Sequence, residues 1–240
     1  MQRTLLGMLT PSSNTVLEPV TSRLLDEVPE ASAHFGRFAV TRIALSDAAL
    51  GQFDMPGVLD AAGLLAHARC DVIAWSGTSS SWLGFDADQR LCEAITQATG
   101  AKACTSVLAL NEALARTGAR RLGLVTPYLP DVQARIVANY RSIGVDVVAE
   151  RHLGLEDNFA FSEVGPDALR AMVREVAQAK PDAIAILCTN LRGAPLVPAL
   201  EAELGIPVYD SVATCVWQSL RLAGIDASRV RSWGRLFSLS

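Results

Sequence analysis

A cysteine with polar neighbours stands at the end of a short apolar run in the second half of the chain. Cys188 lies in the stretch LCTNLRG and is followed by Thr189 and Asn190, ahead of a predicted helix. A thiol near a helix N-terminus is expected to have a lowered pKa and to be accessible to a ligand. It can act there as a nucleophile, or as a proton donor and acceptor. Alternatively, a free cysteine is often a small core residue, which is our interpretation of the other four, Cys70, Cys92, Cys104 and Cys215.

A second polar stretch, GTSSSW, follows an earlier apolar run. It places Gly77, Thr78 and Ser79 directly after a predicted strand. Backbone N–H groups and hydroxyls in such a turn can stabilise an oxyanion. The alternative is a flexible serine-rich turn with no role in chemistry.

Three further side chains are candidates for binding an anion. Asn14 belongs to a PSSN turn between a predicted strand and a predicted helix, where N–H groups attract anions. Tyr128 follows a VTP turn in the second half and could donate its phenol to a carboxylate. Asn158 lies in the predicted loop LEDNFAF. The two asparagines also have ordinary explanations, because asparagine is a preferred helix cap and a common turn residue.

Composition and charge exclude several classes of protein. Half of the 240 residues are hydrophobic and 19% are charged, as in a compact α/β protein with a sizeable core. The net charge of −4 and the lack of a basic run argue against nucleic acid as a partner. No apolar run reaches the length of a membrane span, and no signal-peptide core is visible. Five cysteines without CxxC spacing and three histidines without metal spacing favour a reduced, cytoplasmic protein without a metal site.

Short apolar runs alternate with stretches of helical period, which is typical of parallel sheets flanked by helices. The predicted strands are Thr4–Leu9, His34–Ile43, Val72–Trp75, Ala101–Cys104, Arg121–Val125, Val145–Ala149, Ala183–Leu187 and Pro207–Tyr209. The predicted helices are Thr15–Glu27, Pro56–Arg69, Ala87–Thr99, Val107–Thr117, Pro130–Ile143, Pro166–Ala179, Pro195–Leu204 and Val212–Ala223. No P-loop or GxGxxG motif is present to indicate a nucleotide cofactor.

The two halves of the sequence repeat each other. LLGMLTP near the start matches RLGLVTP from Arg121, and DVIAWSGT from Asp71 matches DAIAILCT from Asp182. Several such matches in the same order favour a duplicated α/β unit. Because open α/β units bind ligands at the carboxyl ends of their strands, two facing units would share one cleft. We expect a first half of residues 1–110 plus 211–240, and a second half of residues 111–210.

Five motifs in this order resemble the aspartate/glutamate racemase superfamily, and within it the branch of the arylmalonate decarboxylases and maleate cis–trans isomerases. They are PSSNT, GTSSSW, TPY, CTN and the C-terminal WGRLF. The resemblance covers essentially the whole chain. It implies two pseudo-symmetric Rossmann-like halves with the active site between them, and chemistry without a cofactor on a small dicarboxylic acid.

The resemblance also assigns roles to residues. Racemases of this superfamily use one cysteine from each half, and this chain has Gly77 where the first cysteine would stand. Glycine in the first half with cysteine in the second resembles the arylmalonate decarboxylases. By that resemblance, Thr78, Ser79 and Tyr128 would hold the retained carboxylate while Cys188 protonates the enediolate left after CO₂ departs.

Other residues point elsewhere within the branch. Asn14, Tyr128 and Asn158 resemble carboxylate-binding residues of the maleate isomerases, and Thr189-Asn190 replaces a more glycine-rich turn. The sequence therefore predicts a cofactor-independent lyase acting on a substituted malonate. An isomerase or racemase of a small carboxylic acid is the alternative, which Gly77→Cys is expected to favour. A carboxylate-binding module without activity is the non-enzyme alternative, and a homo-oligomer is compatible with all three.

Overall fold

Two similar sheets form the framework of the protein. In a computed structural model, residues 3–239 are described. The strands are β1 (Thr4–Pro11), β2 (Ala31–Phe38), β3 (Val72–Trp75), β4 (Lys102–Thr105), β5 (Arg121–Thr126), β6 (Asp146–His152), β7 (Ala183–Ile186) and β8 (Val208–Asp210). They form two four-stranded sheets of order β2-β1-β3-β4 and β6-β5-β7-β8, in which every described pairing between named strands is parallel. The predicted α/β class with two pseudo-symmetric halves is confirmed.

Helices surround both sheets. They are α1 (Leu17–Leu25), α2 (Asp47–Leu50), α3 (Met55–His67), α4 (Ser80–Leu83), α5 (Phe85–Thr99), α6 (Ser106–Thr117), α7 (Pro130–Ser142), α8 (Pro166–Ala177), α9 (Val197–Leu204) and α10 (Ser211–Leu222). Short 3₁₀ turns cover Gly51–Phe53, Ala160–Glu163, Ala194–Leu196, Ala227–Arg229 and Arg235–Ser238. None of the helices within residues 3–239 has the length and apolarity that crossing a bilayer requires.

One predicted strand is wrong at its end. The sequence predicts a strand over His34–Ile43, whereas β2 ends at Phe38. Beyond that point the backbone N–H of Thr41 donates to the side chain of Gln52, and the N–H of Ile43 donates to the carbonyl of Glu156. These hydrogen bonds take the place of pairing with β1, and the chain runs across the ends of the strands.

The repeated glycine of the two halves has the same packing role in each. A Cβ on Gly7 would lie 3.2 Å from Leu65 of α3, and a Cβ on Gly123 would lie 3.2 Å from Val176 of α8. The central strands β1 and β5 therefore both have glycine where a helix passes close over the sheet, and a larger residue would make a tight contact at each point.

The C-terminal helix lies between the sheets. α10 packs on α6 and also contacts β3 and β4 of the first sheet and β8 of the second. The division into residues 1–110 plus 211–240 and residues 111–210 stays a prediction.

The repeated aspartate begins an inner strand in both halves. Asp71 accepts a hydrogen bond of 2.8 Å from the N–H of Leu5, and Asp182 accepts bonds of 2.8 and 2.9 Å from the N–H groups of Arg120 and Arg121. The latter bonds favour the carboxylate and hold the pKa of Asp182 below its usual value. Each carboxylate thus caps backbone N–H groups at the start of the neighbouring central strand.

We expect Asp182→Ala to lower the free energy of unfolding by about 1 kcal/mol, because charge-assisted hydrogen bonds at an exposed strand start are lost. Urea denaturation measures this. Asp60→Ala, at an exposed position on α3, is the matched control and is expected to stay within about 0.5 kcal/mol of the parent. Equal losses in both variants would contradict the capping role.

Candidate active site

The carboxyl ends of both sheets meet around one enclosed cavity. The last residue of β1 and residues that follow β2, β3, β5 and β7 come together there, as predicted for strand ends of facing α/β units. The lining residues are Pro11, Val40, Ile43, Phe53, Trp75, Gly77, Thr78, Ser79, Trp82, Tyr128, Asn158, Cys188 and Thr189. Seven of the nine predicted site residues are among them, and Asn14 and Asn190 are not.

The stretch after β3 is a buried wall and not a flexible turn. Thr78 and Ser79 are each 5% exposed, and the next residues form the short helix α4. The indole N–H of Trp75 donates to the Ser79 hydroxyl over 3.2 Å. Buried hydroxyls held in this way are preorganised to meet negative charge on a ligand.

Tyr128 links the two halves at the cavity. Its hydroxyl lies 2.6 Å from the Thr78 hydroxyl, a hydrogen bond between the turn after β5 and the turn after β3. Its ring is enclosed by the edges of Trp82 and Phe161, with ring centroids 5.1 and 5.8 Å away. Burial raises the pKa of Tyr128 well above its usual value, so the phenol stays protonated and able to donate.

Cys188 lies in a different environment from the one its sequence position suggests. The residues after it form a turn, and the following helix α9 begins only at Val197. The thiol is 3% exposed, and burial raises its pKa to about 12, although the N–H of Asn190 approaches Sγ within 3.4 Å and opposes the rise. The expectation of an accessible thiol with a lowered pKa is therefore wrong, because desolvation of the thiolate outweighs the hydrogen bonds to sulfur.

Asn14 and Asn190 do not line the cavity, but they form hydrogen bonds with residues that do. The Asn14 side-chain oxygen accepts from the N–H groups of Val16 and Leu17 at the start of α1, and its amide donates to the Thr189 hydroxyl over 3.1 Å. Asn190 accepts from the N–H of residue 15 and donates to the carbonyl of Asn158. Direct contact of Asn14 and Asn190 with substrate stays a prediction.

The network continues to Asn158, which does line the cavity. Its amide donates to the Ser13 hydroxyl over 2.8 Å, and its backbone N–H donates to the carbonyl of Thr41. Asn158 therefore connects the loop after β6 to the turn after β1, next to Thr189. This places an amide on the same wall as the thiol.

An aromatic and aliphatic wall was not assigned from the sequence. Trp75 ends β3 and Trp82 lies in α4, on either side of the GTSS stretch, and this position at a strand end was the available signal. Val40, Ile43 and Phe53 come from the long connection between β2 and α3, whose course over the cavity has no local sequence signature. Trp82 packs edge-on against Phe53 at 5.8 Å, and its buried Nε1 has no hydrogen-bond partner among the described residues.

The cavity is small and contains no positive charge. Its volume is about 20 Å³, the room of roughly one water, so a substrate must displace the walls on entering. No Lys, Arg or His is among the described residues that line it. An anion there would be held by neutral hydroxyl, phenol, amide and thiol groups.

Comparison with known proteins decides the family. The family model described as arylmalonate decarboxylase matches residues 16–237. The chain belongs to the arylmalonate decarboxylase family. The resemblance of the motifs to this branch is thereby confirmed.

Family relatives include enzymes of both types. Arylmalonate decarboxylase of Bordetella bronchiseptica is 29% identical over 238 residues, covering 98% of this chain and 97% of the relative. A solved structure of Nocardia farcinica maleate cis–trans isomerase, a cysteine-to-serine mutant with a covalently bound succinylcysteine intermediate, has a TM-score of 0.89, 26% identity and 98% coverage of both chains. A crystal structure of arylmalonate decarboxylase has a TM-score of 0.79 and 25% identity, covering 98% of this chain and 100% of the other.

We expect Cys188 to remain a thiol up to at least about pH 10, because its pKa lies near 12. The thiolate absorbs near 240 nm, so the absorbance of the parent minus that of Cys188→Ala isolates this group. An ionised thiol at neutral pH would contradict the effect of burial. Since the folded pKa is raised above that of the unfolded chain, Cys188 also destabilises the fold as pH rises through the alkaline range.

Proposed function

We propose that the protein is a cofactor-independent decarboxylase of a substituted malonate, with Cys188 as the proton donor. The observation that carries this is the character of the cavity, where one protonated thiol borders both a hydrogen-bonding wall and an apolar wall. Cys188 is the only cysteine among the described residues that line it. Decarboxylation requires a single proton transfer to the α-carbon, which one thiol can supply.

The hydrogen-bonding wall suits the carboxylate that is retained. Thr78, Ser79 and Tyr128 offer two hydroxyls and a phenol within one buried cluster. When the bond between the α-carbon and the other carboxylate breaks, its electron pair passes into the retained carboxylate and forms an enediolate. Fixed donors aimed at that charge lower the barrier, typically by a few kcal/mol for each donor.

The apolar wall suits the carboxylate that leaves. Val40, Ile43, Phe53 and Trp82 offer no cation to a second carboxylate, and neutral CO₂ requires none. The α-carbon of the enediolate then takes the proton of Cys188, which leaves a thiolate. The thiolate takes a proton from solvent to complete the cycle.

A maleate isomerase is the second candidate. Asn158, next to Thr189 on the cavity wall, supports it as an amide able to bind a second carboxylate, and isomerases are among the relatives. Nucleophilic addition needs a thiolate, however, and the raised pKa of Cys188 makes that form scarce at neutral pH. A decarboxylase would instead use the protonated thiol of Cys188, which is the form that burial favours.

A proton NMR time course in D₂O on methylphenylmalonate, alkylmalonates and maleate tests the proposal. We expect loss of one malonate with a single deuteron at the new α-carbon. Cys188→Ala is expected to be slower by about 10²-fold or more, since a positioned proton donor is lost. Cys92→Ala, the same change at a half-buried cysteine outside the cavity, serves as the control.

Other outcomes would assign the protein differently. Conversion of maleate to fumarate with the malonates untouched would support the isomerase. Binding of these acids without turnover would support a carboxylate-binding module. Full activity of Cys188→Ala on a malonate would overturn the role of the thiol.

We expect Tyr128→Phe to lower kcat by about 10²-fold with a smaller change in KM, because the phenol acts on charge that develops in the transition state. Tyr140→Phe is the matched control, since this tyrosine is also fully buried but does not line the cavity. Steady-state kinetics on the accepted malonate give both constants. Similar losses in the two variants would indicate a structural effect of removing a buried hydroxyl.

A further inference from the structure

The indole of Trp75 occupies the space that a side chain on residue 77 would need. Trp75 is the last residue of β3, and residues two apart in an extended chain place their side chains on the same face. A Cβ on Gly77 would lie 2.1 Å from Cζ2 and 2.3 Å from Cε2 of the indole. Such approaches are far inside van der Waals contact, so Gly77 is required while the ring stays in place.

Several contacts hold the ring there. Trp75 is 2% exposed and packs against Phe38 of β2, with ring centroids 5.0 Å apart. Its Nε1–H donates to the Ser79 hydroxyl. Moving the indole away from Gly77 would disrupt the aromatic contact and the hydrogen bond to Ser79 together.

The hydrogen bond also sets the direction of the Ser79 hydroxyl. A serine hydroxyl has one hydrogen to donate and can accept as well. Because Ser79 Oγ accepts from the indole, its own hydrogen stays available for another acceptor. Ser79 lines the cavity, where the retained carboxylate of the proposed reaction would be that acceptor.

We propose that Trp75 is a specificity-determining and positioning residue of this site, which excludes a thiol from position 77 and directs the Ser79 hydroxyl toward the bound acid. The second part rests on the proposed function. Exclusion of a thiol from position 77 leaves Cys188 as the proton donor of the site. The expectation that Gly77→Cys favours an isomerase stays a prediction, and by this proposal the change alone would place the new side chain on the indole.

A double-mutant cycle of thermal unfolding tests the exclusion without any substrate. We expect Gly77→Ala to lower Tm by roughly 5 °C, as overpacking in a buried site of a domain this size does. In a Trp75→Leu background the same change is expected to cost less than half as much. Gly63→Ala is the control at a glycine whose Cβ would meet nothing within 4 Å, and it should not lower Tm. Equal shifts for Gly77→Ala in both backgrounds would overturn the exclusion.

Kinetics on the malonate that the enzyme accepts test the positioning role. Trp75→Phe keeps a ring but loses the N–H, and we expect kcat to fall roughly tenfold with KM within about twofold. Adding Ser79→Ala should bring kcat no lower than Ser79→Ala alone. Trp217→Phe, which loses an indole hydrogen bond to the Leu239 carbonyl outside the cavity, should leave kcat unchanged. Effects of Trp75→Phe and Ser79→Ala that multiply would overturn the positioning role.

The two experiments separate failure of this proposal from failure of the proposed function. If the wild type decarboxylates no malonate, the proposed function fails, and the Gly77 cycle still decides the exclusion. A second thermal cycle with Trp75→Phe and Ser79→Ala then decides the hydrogen bond. Non-additive shifts in Tm support the bond, and additive shifts overturn it.

Discussion

The hydrogen bond between Thr78 and Tyr128 is the contact on which the site depends. It joins the carboxyl ends of the two sheets over 2.6 Å, through a first-half hydroxyl and the second-half phenol of Tyr128. The Asn14–Thr189 and Asn190–Thr15 bonds join the halves a second time, directly after Cys188 in the chain. Cys188 is 3% exposed beside these contacts.

Burial of Cys188 determines the protonation state of the thiol on which the proposed function relies. In an open, polar turn the same thiol would be partly ionised and a competent nucleophile. Here the low-polarity surroundings keep its proton in place, and the neighbouring donors are neutral. Under the proposed function, this protonated thiol gives its proton to a carbon that has just gained an electron pair.

Much of the fold could be predicted from the sequence, because local patterns determine it. The apolar runs predicted a strand at the place of each strand in the described residues, although β2 ends at Phe38 and not at Ile43. The repeated Asp and Gly residues marked equivalent points of both halves. The site was predictable where it lies at strand ends, as with Thr78, Tyr128 and Cys188. It was not predictable where long-range packing decides: the apolar wall of Val40, Ile43 and Phe53 depends on the course of a long connection. The raised pKa of Cys188 was not predictable either, because it depends on burial that no local sequence pattern indicates.

The enclosure of Cys188 has a consequence for the last step of the proposed cycle. Once the thiol has given up its proton, the product leaves behind an anion in surroundings that solvate it poorly, which makes the thiolate strongly basic. The cavity has room for about one water, so the replacing proton must arrive as the site opens to release product. Reprotonation of Cys188 would then coincide with release of the product acid.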